Sequence, residues 1–222
     1  MMNTRQKVDT DRDNYYFVEM AKNKQFVKNK AGVSSSPVDS LNAAFLLTII
    51  SAQRQGLGCL PHYLGLEKTA FAQLFEDLLP SYKAVLPDVD PNNPYEQLIA
   101  DRSDMRQQLL DMRADEVAEL SALLVEYRAG VEDTELWMAD IVTAACMGSD
   151  HLWRDLGLPD RKVLNQLLRY NFPALVVENT GDMKWKKFLY RKLCETGGDY
   201  VCRSPTCEQC VSYAECFGSE EH

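Results

Sequence analysis

Leu41-Asn42-Ala43-Ala44-Phe45-Leu46-Leu47-Thr48-Ile49-Ile50, residues 41–50, is the longest apolar run in the chain, and its spacing decides the fold class. Leu41, Ala44, Phe45, Thr48 and Ile49 recur three and four residues apart, which places them on one stripe of an α-helix. The run is about half as long as a membrane span requires, so no membrane association is expected. Toward the C-terminus the same period returns. Gly56 and Gly58 should end the first helix. A second is expected over about Glu67–Leu79, with Phe71, Leu74, Phe75 and Leu78 inward and Pro80 as its stop. The Pro- and Asp-rich stretch 81–94 reads as a loop. A long helical stretch follows from about Tyr95 to Arg128, with a break expected near Asp104 and most of its acid on a solvated face. An apolar helix over Thr134–Met147 carries Trp137, Ile141 and Cys146. Shorter helices are expected over Asp150–Asp155, Arg161–Tyr170 and Met183–Glu195, with Asp160 and Asp182 capping the last two and Gly197-Gly198 ending the last. No alternating strand pattern and no internal repeat appears. The expectation is an all-α, bundle-like helical domain over residues 38–200, with an irregular C-terminal cysteine loop over 201–222 that binds a metallocluster. Residues 1–37, closing on Ser34-Ser35-Ser36-Pro37, read as a flexible tail, with Tyr15-Tyr16-Phe17-Val18 as a short patch able to dock.

Composition narrows the function. The chain has 222 residues, 45% hydrophobic and 26% charged, which is enough to bury one core. The first residues, MMNTRQKVDTDRDN, contain no apolar signal region, so a cytoplasmic location is expected. There the seven cysteines should stay reduced, and clustered thiols bind metal more often than they pair as disulfides. A net charge of −9 argues against nucleic acid as a partner. The charge is uneven: residues 75–140 hold 16 acidic and 5 basic side chains, whereas 151–200 hold 6 acidic and 9 basic. The basic part lies just before the cysteines.

The C-terminal segment reads Cys202-RSPT-Cys207-EQ-Cys210-VSYAE-Cys216. An iron–sulfur cluster needs several thiolates converging on one compact centre, and a short irregular loop can wrap it in that way. Zinc accepts the same ligands, but structural zinc sites usually split two C-x2-C knuckles across separate segments; here only one exists, closely flanked on both sides. The spacing is similar to the cluster loop of helix-hairpin-helix DNA glycosylases, yet its first interval is two residues short. That family's glycine hairpin and catalytic aspartate arrangement is also missing. No nucleophile–base pair, phosphate-cradling glycine loop or paired catalytic carboxylates point to an enzyme.

A wider set of residues surrounds that loop: His151-Leu152-Trp153-Arg154-Asp155-Leu156-Gly157-Leu158, Phe172-Pro173, Asn179, Met183-Lys184-Trp185-Lys186-Lys187-Phe188-Leu189-Tyr190-Arg191, Leu193-Cys194-Glu195 and Cys216-Phe217-Gly218. Together they closely resemble the NifQ family, molybdenum-handling iron–sulfur proteins of nitrogen fixation. The resemblance covers roughly the last third of the chain. It implies a 3Fe–4S-type cluster that accepts molybdenum to become a Mo–Fe–S cluster, held by Cys202, Cys207, Cys210 and Cys216. It also implies delivery of molybdenum to the iron–molybdenum cofactor on its assembly scaffold, with the nitrogenase iron protein taking part. A cubane lacking one metal corner needs only three protein thiolates, which leaves one of four for molybdenum. A simple iron–sulfur electron carrier and a zinc-stabilised interaction module are the alternatives.

Further residues bear on the site. Lys184, Lys187 and Arg191 fall at helical spacing with Cys194 beyond them, so one face presents positive charge and a fifth thiol. That face suits molybdate, thiomolybdate or an acidic partner; its alternative is a solvated basic face with a structural cysteine. His151, in the first turn of a short helix, is a candidate imidazole ligand or else a capping and packing residue. Lys192 falls within the apolar arc of Trp185, Phe188 and Leu189. Cys59 with His62, and Cys146, are expected in the core. Trp137, Trp153 and Trp185 are expected as core aromatics, the last two with a further part in shielding the cluster from water.

Overall fold

The computed structural model describes residues 41–79, 93–197 and 217. Those residues form nine helices and no strand: α1 (Leu41–Arg54), α2 (Lys68–Asp77), α3 (Pro94–Met112), α4 (Ala114–Glu126), α5 (Thr134–Cys146), α6 (Leu152–Asp155), α7 (Arg161–Asn171), α8 (Pro173–Glu178) and α9 (Trp185–Gly197). The all-α reading holds. None of the described helices is long and apolar enough to cross a membrane. The expected tail 1–37 and residues 81–92 of the loop expected over 81–94 lie outside the described residues, as does the cysteine loop apart from Phe217; Asn93 caps α3 and Pro94 opens it.

The core is organised on α5. Met138, Ala139, Ile141, Val142 and Ala145 are fully enclosed, and the small side chains let neighbours come close. Gly65 shows how close: a β-carbon there would stand 2.4 Å from that of Ala144, and its φ of +87° suits only glycine. Phe45, Leu46, Ile49 and Ile50 of α1 and Leu120, Leu123 and Leu124 of α4 close over α5. Phe71, Leu74, Phe75 and Leu78 are all buried, as their period predicts. Phe71 and Phe75 meet edge to face at 5.1 Å.

Several boundaries differ from expectation, each with a local cause. The long acidic stretch breaks at Arg113 rather than near Asp104. Arg113 leaves helical geometry (φ −114°, ψ 27°), and its guanidinium grips both carboxylate oxygens of Glu116 at 2.8 and 2.6 Å and reaches the Met147 carbonyl at 3.3 Å. Asp104 simply continues α3. The helix expected from Asp150 begins at Leu152, with His151 extended at its N-cap (φ −61°, ψ 143°), so His151 precedes the first turn. Asp160 caps α7 as expected, accepting from the Val163 amide at 2.9 Å. Asp182 does not cap α9. It sits at φ +51° and pairs with Arg161 at 3.0 Å, so α9 starts at Trp185. Pro173 opens α8, a helix the sequence reading did not separate.

A polar joint crosses this apolar interior. Asn42 of α1 and Asn171 of α7 are both fully buried and exchange amide hydrogen bonds at 2.8 and 2.9 Å. Asn42 also donates to Thr134 Oγ1 at 2.8 Å, and Asn171 to the Leu167 carbonyl at 2.9 Å. Beside them the buried Glu135 carboxylate accepts from the amides of Gly130, Val131 and Glu132 at 2.6, 2.9 and 3.1 Å. It ties the α4–α5 turn to the start of α5. Removing one amide strands the other without water. Asn171→Ala should therefore cost about 1–3 kcal/mol in urea unfolding, and the Asn42→Ala/Asn171→Ala double variant should cost less than the two single losses added. An unchanged midpoint for Asn171→Ala would contradict the joint.

Candidate metallocluster site

Cys202, Cys207, Cys210 and Cys216 lie outside the described residues; those nearest them in the chain are Gly197, where α9 ends, and Phe217. Helix α9 ends at Gly197, and Phe217, bonded directly to Cys216, lines the same groove as Glu195. Peptide geometry keeps the α-carbons of Cys216 and Phe217 about 3.8 Å apart. The groove encloses about 340 Å³ between the α8–α9 turn and α9, with Glu178, Gly181, Phe188, Arg191, Lys192 and Glu195 among its walls. The Phe217 ring is half-buried and packs toward the core. Glu195, seven residues before Cys202, and Phe217, next after Cys216, therefore line one groove.

The exposed ridge of α9 is the one its spacing predicts. Lys187 and Arg191 are exposed, and Lys184 and Cys194 are half-buried, with Lys184 just ahead of the first helical turn. Arg191 pairs with Glu195 at 2.9 Å. Lys192 points the other way, as its place in the apolar arc implies: its ammonium meets Glu178 at 2.6 Å and lies 5.8 Å from the Tyr127 ring centre. Hydrogen bonding to Glu178 raises the Lys192 pKa. His151, Lys184, Lys187 and Cys194 are not part of the groove lining. Among the described residues no three His, Cys, Asp or Glu side chains converge on a possible metal position.

What holds α9 in this orientation is a residue the sequence reading passed over. Lys186 reaches down to the buried carboxylate of Asp155 and donates to the Gly148 carbonyl at 2.9 Å. Asp155 also accepts from the Asp150 amide at 2.9 Å. Gly148 is needed here because a β-carbon would stand 2.5 Å from both the Asp155 carboxyl and Cys59 Sγ. On the same side of α9, the Tyr190 hydroxyl lies 3.4 Å from the Arg113 guanidinium and donates to Met147 Sδ at 3.8 Å. The available signal was phase: Lys186 shares the flank of Leu189 and Leu193, where a lysine needs a buried partner.

Cys59 and Cys146 are core residues, as expected. Cys59 donates to the Ala145 carbonyl at 3.6 Å; burial and then the charge of Asp155 push its pKa up to about 12. Burial pushes Cys146 up to about 12 as well, with Lys186 acting in the opposite direction. His62 packs against Tyr63 at 4.8 Å, and burial followed by the Arg54 charge lowers its pKa. Trp185 is buried, donates to Asn165 Oδ1 at 2.6 Å and meets Phe188 edge to face at 5.7 Å. Trp137 and Trp153 are partly buried against the core.

Lys186→Met leaves the Asp155 carboxylate unpaired and should cost about 3–5 kcal/mol in denaturant unfolding. Lys187→Met, on the exposed ridge, should change stability by less than about 0.5 kcal/mol; equal effects would contradict the buried pair. Cys59 and Cys146 should resist alkylation at pH 8 in the folded, metal-free protein, because only thiolates react and neither forms below its raised pKa. Their modification at the rate of an exposed thiol would show that the packing is wrong.

The NifQ family model matches residues 45–218. The chain is 47% identical to Protein NifQ of Azotobacter vinelandii over 182 residues, 82% of this chain and 91% of that relative. It is 34% identical to Protein NifQ of Rhodobacter capsulatus over 166 residues, 74% of this chain and 81% of that one. A shorter match, 44% identical over 81 residues, joins it to Protein NifQ of Klebsiella pneumoniae, covering 36% of this chain and 48% of the relative. No solved structure matches the chain. With the match running from the first core helix through the last of the four clustered cysteines, the chain belongs to the NifQ family.

Proposed function

We propose that this chain is a cytoplasmic iron–sulfur protein of nitrogen fixation that takes up molybdenum and donates it to the iron–molybdenum cofactor during assembly. The observation that carries the reading is the four-cysteine segment, which lies within the family match and is flanked in the chain by Glu195 and Phe217, two walls of one groove. Soft thiolate donors in a short loop fit an iron–sulfur cluster. Cys202, Cys207, Cys210 and Cys216 would hold it, and when bound the cluster supplies the sulfide surroundings that molybdenum favours. Cys194 and His151 are reserve ligands in this reading.

Molybdate or thiomolybdate is the substrate, and the chain's own part is to attract it, seat it and release it. Lys184, Lys187 and Arg191 supply positive charge on the ridge next to the segment's origin. The receiving partner is the cofactor-assembly scaffold, with the nitrogenase iron protein taking part. The chain acts as a carrier and not as a turnover enzyme.

Metal analysis with EPR on anaerobically purified protein, grown with molybdate, tests this directly. Iron and molybdenum together are expected. Iron with reversible redox and no molybdenum would mean an electron carrier, and a colourless protein with zinc would mean a structural module; either result overturns the proposal. Cys207→Ala should lose both brown colour and iron, and retention of both would refute the ligand assignment.

A further inference from the structure

We propose that the cleft between the turn after α1 and the middle of α3 is a binding site for one small oxyanion, held by Arg102, Arg106, Ser103 and Gln53. The site goes beyond the function proposed above. None of these residues lines the α8–α9 groove, and the cysteines take no part in it.

One turn of α3 supplies most of the cleft. Arg102 and Arg106 are four residues apart and Ser103 is three before Arg106, so the three project from one side of the helix, and all of them line the cleft. Gln53, in the last turn of α1, stands on the other wall. Between the walls Gly56, at φ +71°, carries the turn close to α3: a β-carbon there would stand 3.1 Å from Ile99 Cγ1.

Two independent observations point to a ligand. Ser103 and Gln53 are each only 5% exposed, yet the Ser103 hydroxyl has no hydrogen-bond partner among the described residues. A helical serine commonly turns its hydroxyl to the carbonyl four residues back, and Ser103 leaves that of Ile99 unused. Buried polar groups are seldom left unpaired without a reason. The second observation is charge. Arg113, Arg154, Arg161 and Arg191 each have a carboxylate partner, whereas neither Arg102 nor Arg106 has one among the described residues. Asp101 and Asp104 are exposed and lie by helical phase on the far flank of α3.

The lining defines the ligand. Two guanidiniums, a hydroxyl and an amide line the cleft, and no carboxylate does. Guanidiniums only donate hydrogen bonds, and the hydroxyl and the amide can donate as well, so the ligand is a negatively charged acceptor. The cleft encloses about 20 Å³, space for about one oxygen-sized atom. The ligand therefore puts one oxygen inward to Ser103 and keeps its others at the mouth, where Arg102 is exposed and Arg106 half-buried. A tetrahedral oxyanion of the molybdate, sulfate and phosphate class has that form, with oxygens left over for both guanidinium forks.

Isothermal titration calorimetry on the full-length, reduced, metal-free protein tests the site. Sodium molybdate, sulfate or phosphate is added at constant ionic strength to a buffer free of other oxyanions. Sulfate, which thiols do not coordinate, separates this site from the cysteines. Saturable binding is expected. Arg106→Gln should weaken it roughly tenfold and Ser103→Ala by a smaller factor, whereas Arg169→Gln, at an exposed position on α7, should leave it unchanged. Without anion, Arg106→Gln and Ser103→Ala should keep the wild-type melting temperature, since neither side chain holds a partner in the fold. The anion should raise the melting temperature of the wild type and not that of Arg106→Gln. The order of affinities identifies the ligand: molybdate first means the cargo anion, and sulfate or phosphate first means an oxyanion other than the cargo. Either order supports the site. Absence of saturable binding for all three anions overturns it, and so do equal losses in Arg106→Gln and Arg169→Gln, which would mean general charge attraction. The readout needs no iron, so its failure leaves the cluster reading standing, and failure of the metal analysis leaves this site standing.

Discussion

The ion pair between Lys186 and Asp155 is the contact on which the presentation of α9 depends. With side-chain exposures of 16% and 7%, the two charges are nearly out of solvent, where a lone charge would be costly. Each is therefore given a second partner: the Gly148 carbonyl for the ammonium and the Asp150 amide for the carboxylate. The pair fixes the rotation of α9 about its own axis. Leu189 must then face the core, Lys187 and Arg191 must face outward, and Lys192 must face α8.

That rotation divides the charges of α9 between two tasks. Arg191 and Lys192, at the groove, are answered by Glu195 and Glu178 at 2.9 and 2.6 Å. The charged walls of the groove are thus balanced. Lys184 and Lys187 stand on the outer ridge, where they add to the field seen by an approaching anion. Arg191, exposed and also a wall of the groove, belongs to both.

Periodicity carried most of the fold, and the reasons for its failures are local. The apolar stripe of α2 names its own buried face, since burial and helical phase are the same information read twice, but α1 is turned from the stripe its spacing suggests: Asn42, Phe45, Leu46, Ile49 and Ile50 are buried while Leu41, Ala44 and Thr48 are half-buried. The break at Arg113 was not legible because it depends on a guanidinium finding Glu116 and the Met147 carbonyl, and the latter comes from a helix end far along the chain. Asp182 has the residue type of a cap, yet Arg161 claims it first. The cysteine spacing suggests a ligand chemistry without saying where the site sits, and the contact between Phe217 and Gly181 is one that no period encodes. Lys186 was hidden among four neighbouring basic and aromatic residues, and only its buried partner distinguishes it from Lys184 and Lys187.

The charge asymmetry of the chain acquires a direction once α9 is placed. Residues 75–140 carry 16 acidic and 5 basic side chains, and the stretch from 151 to 200 carries 9 basic and 6 acidic. Helices α3 and α4 fall within the first stretch and α9 within the second. Helix α4 packs against α9, so the acidic and basic stretches meet there, and the cationic field is confined to the outward ridge of Lys184 and Lys187. At physiological ionic strength such a field acts over about 8 Å, so it selects an approach only near the surface.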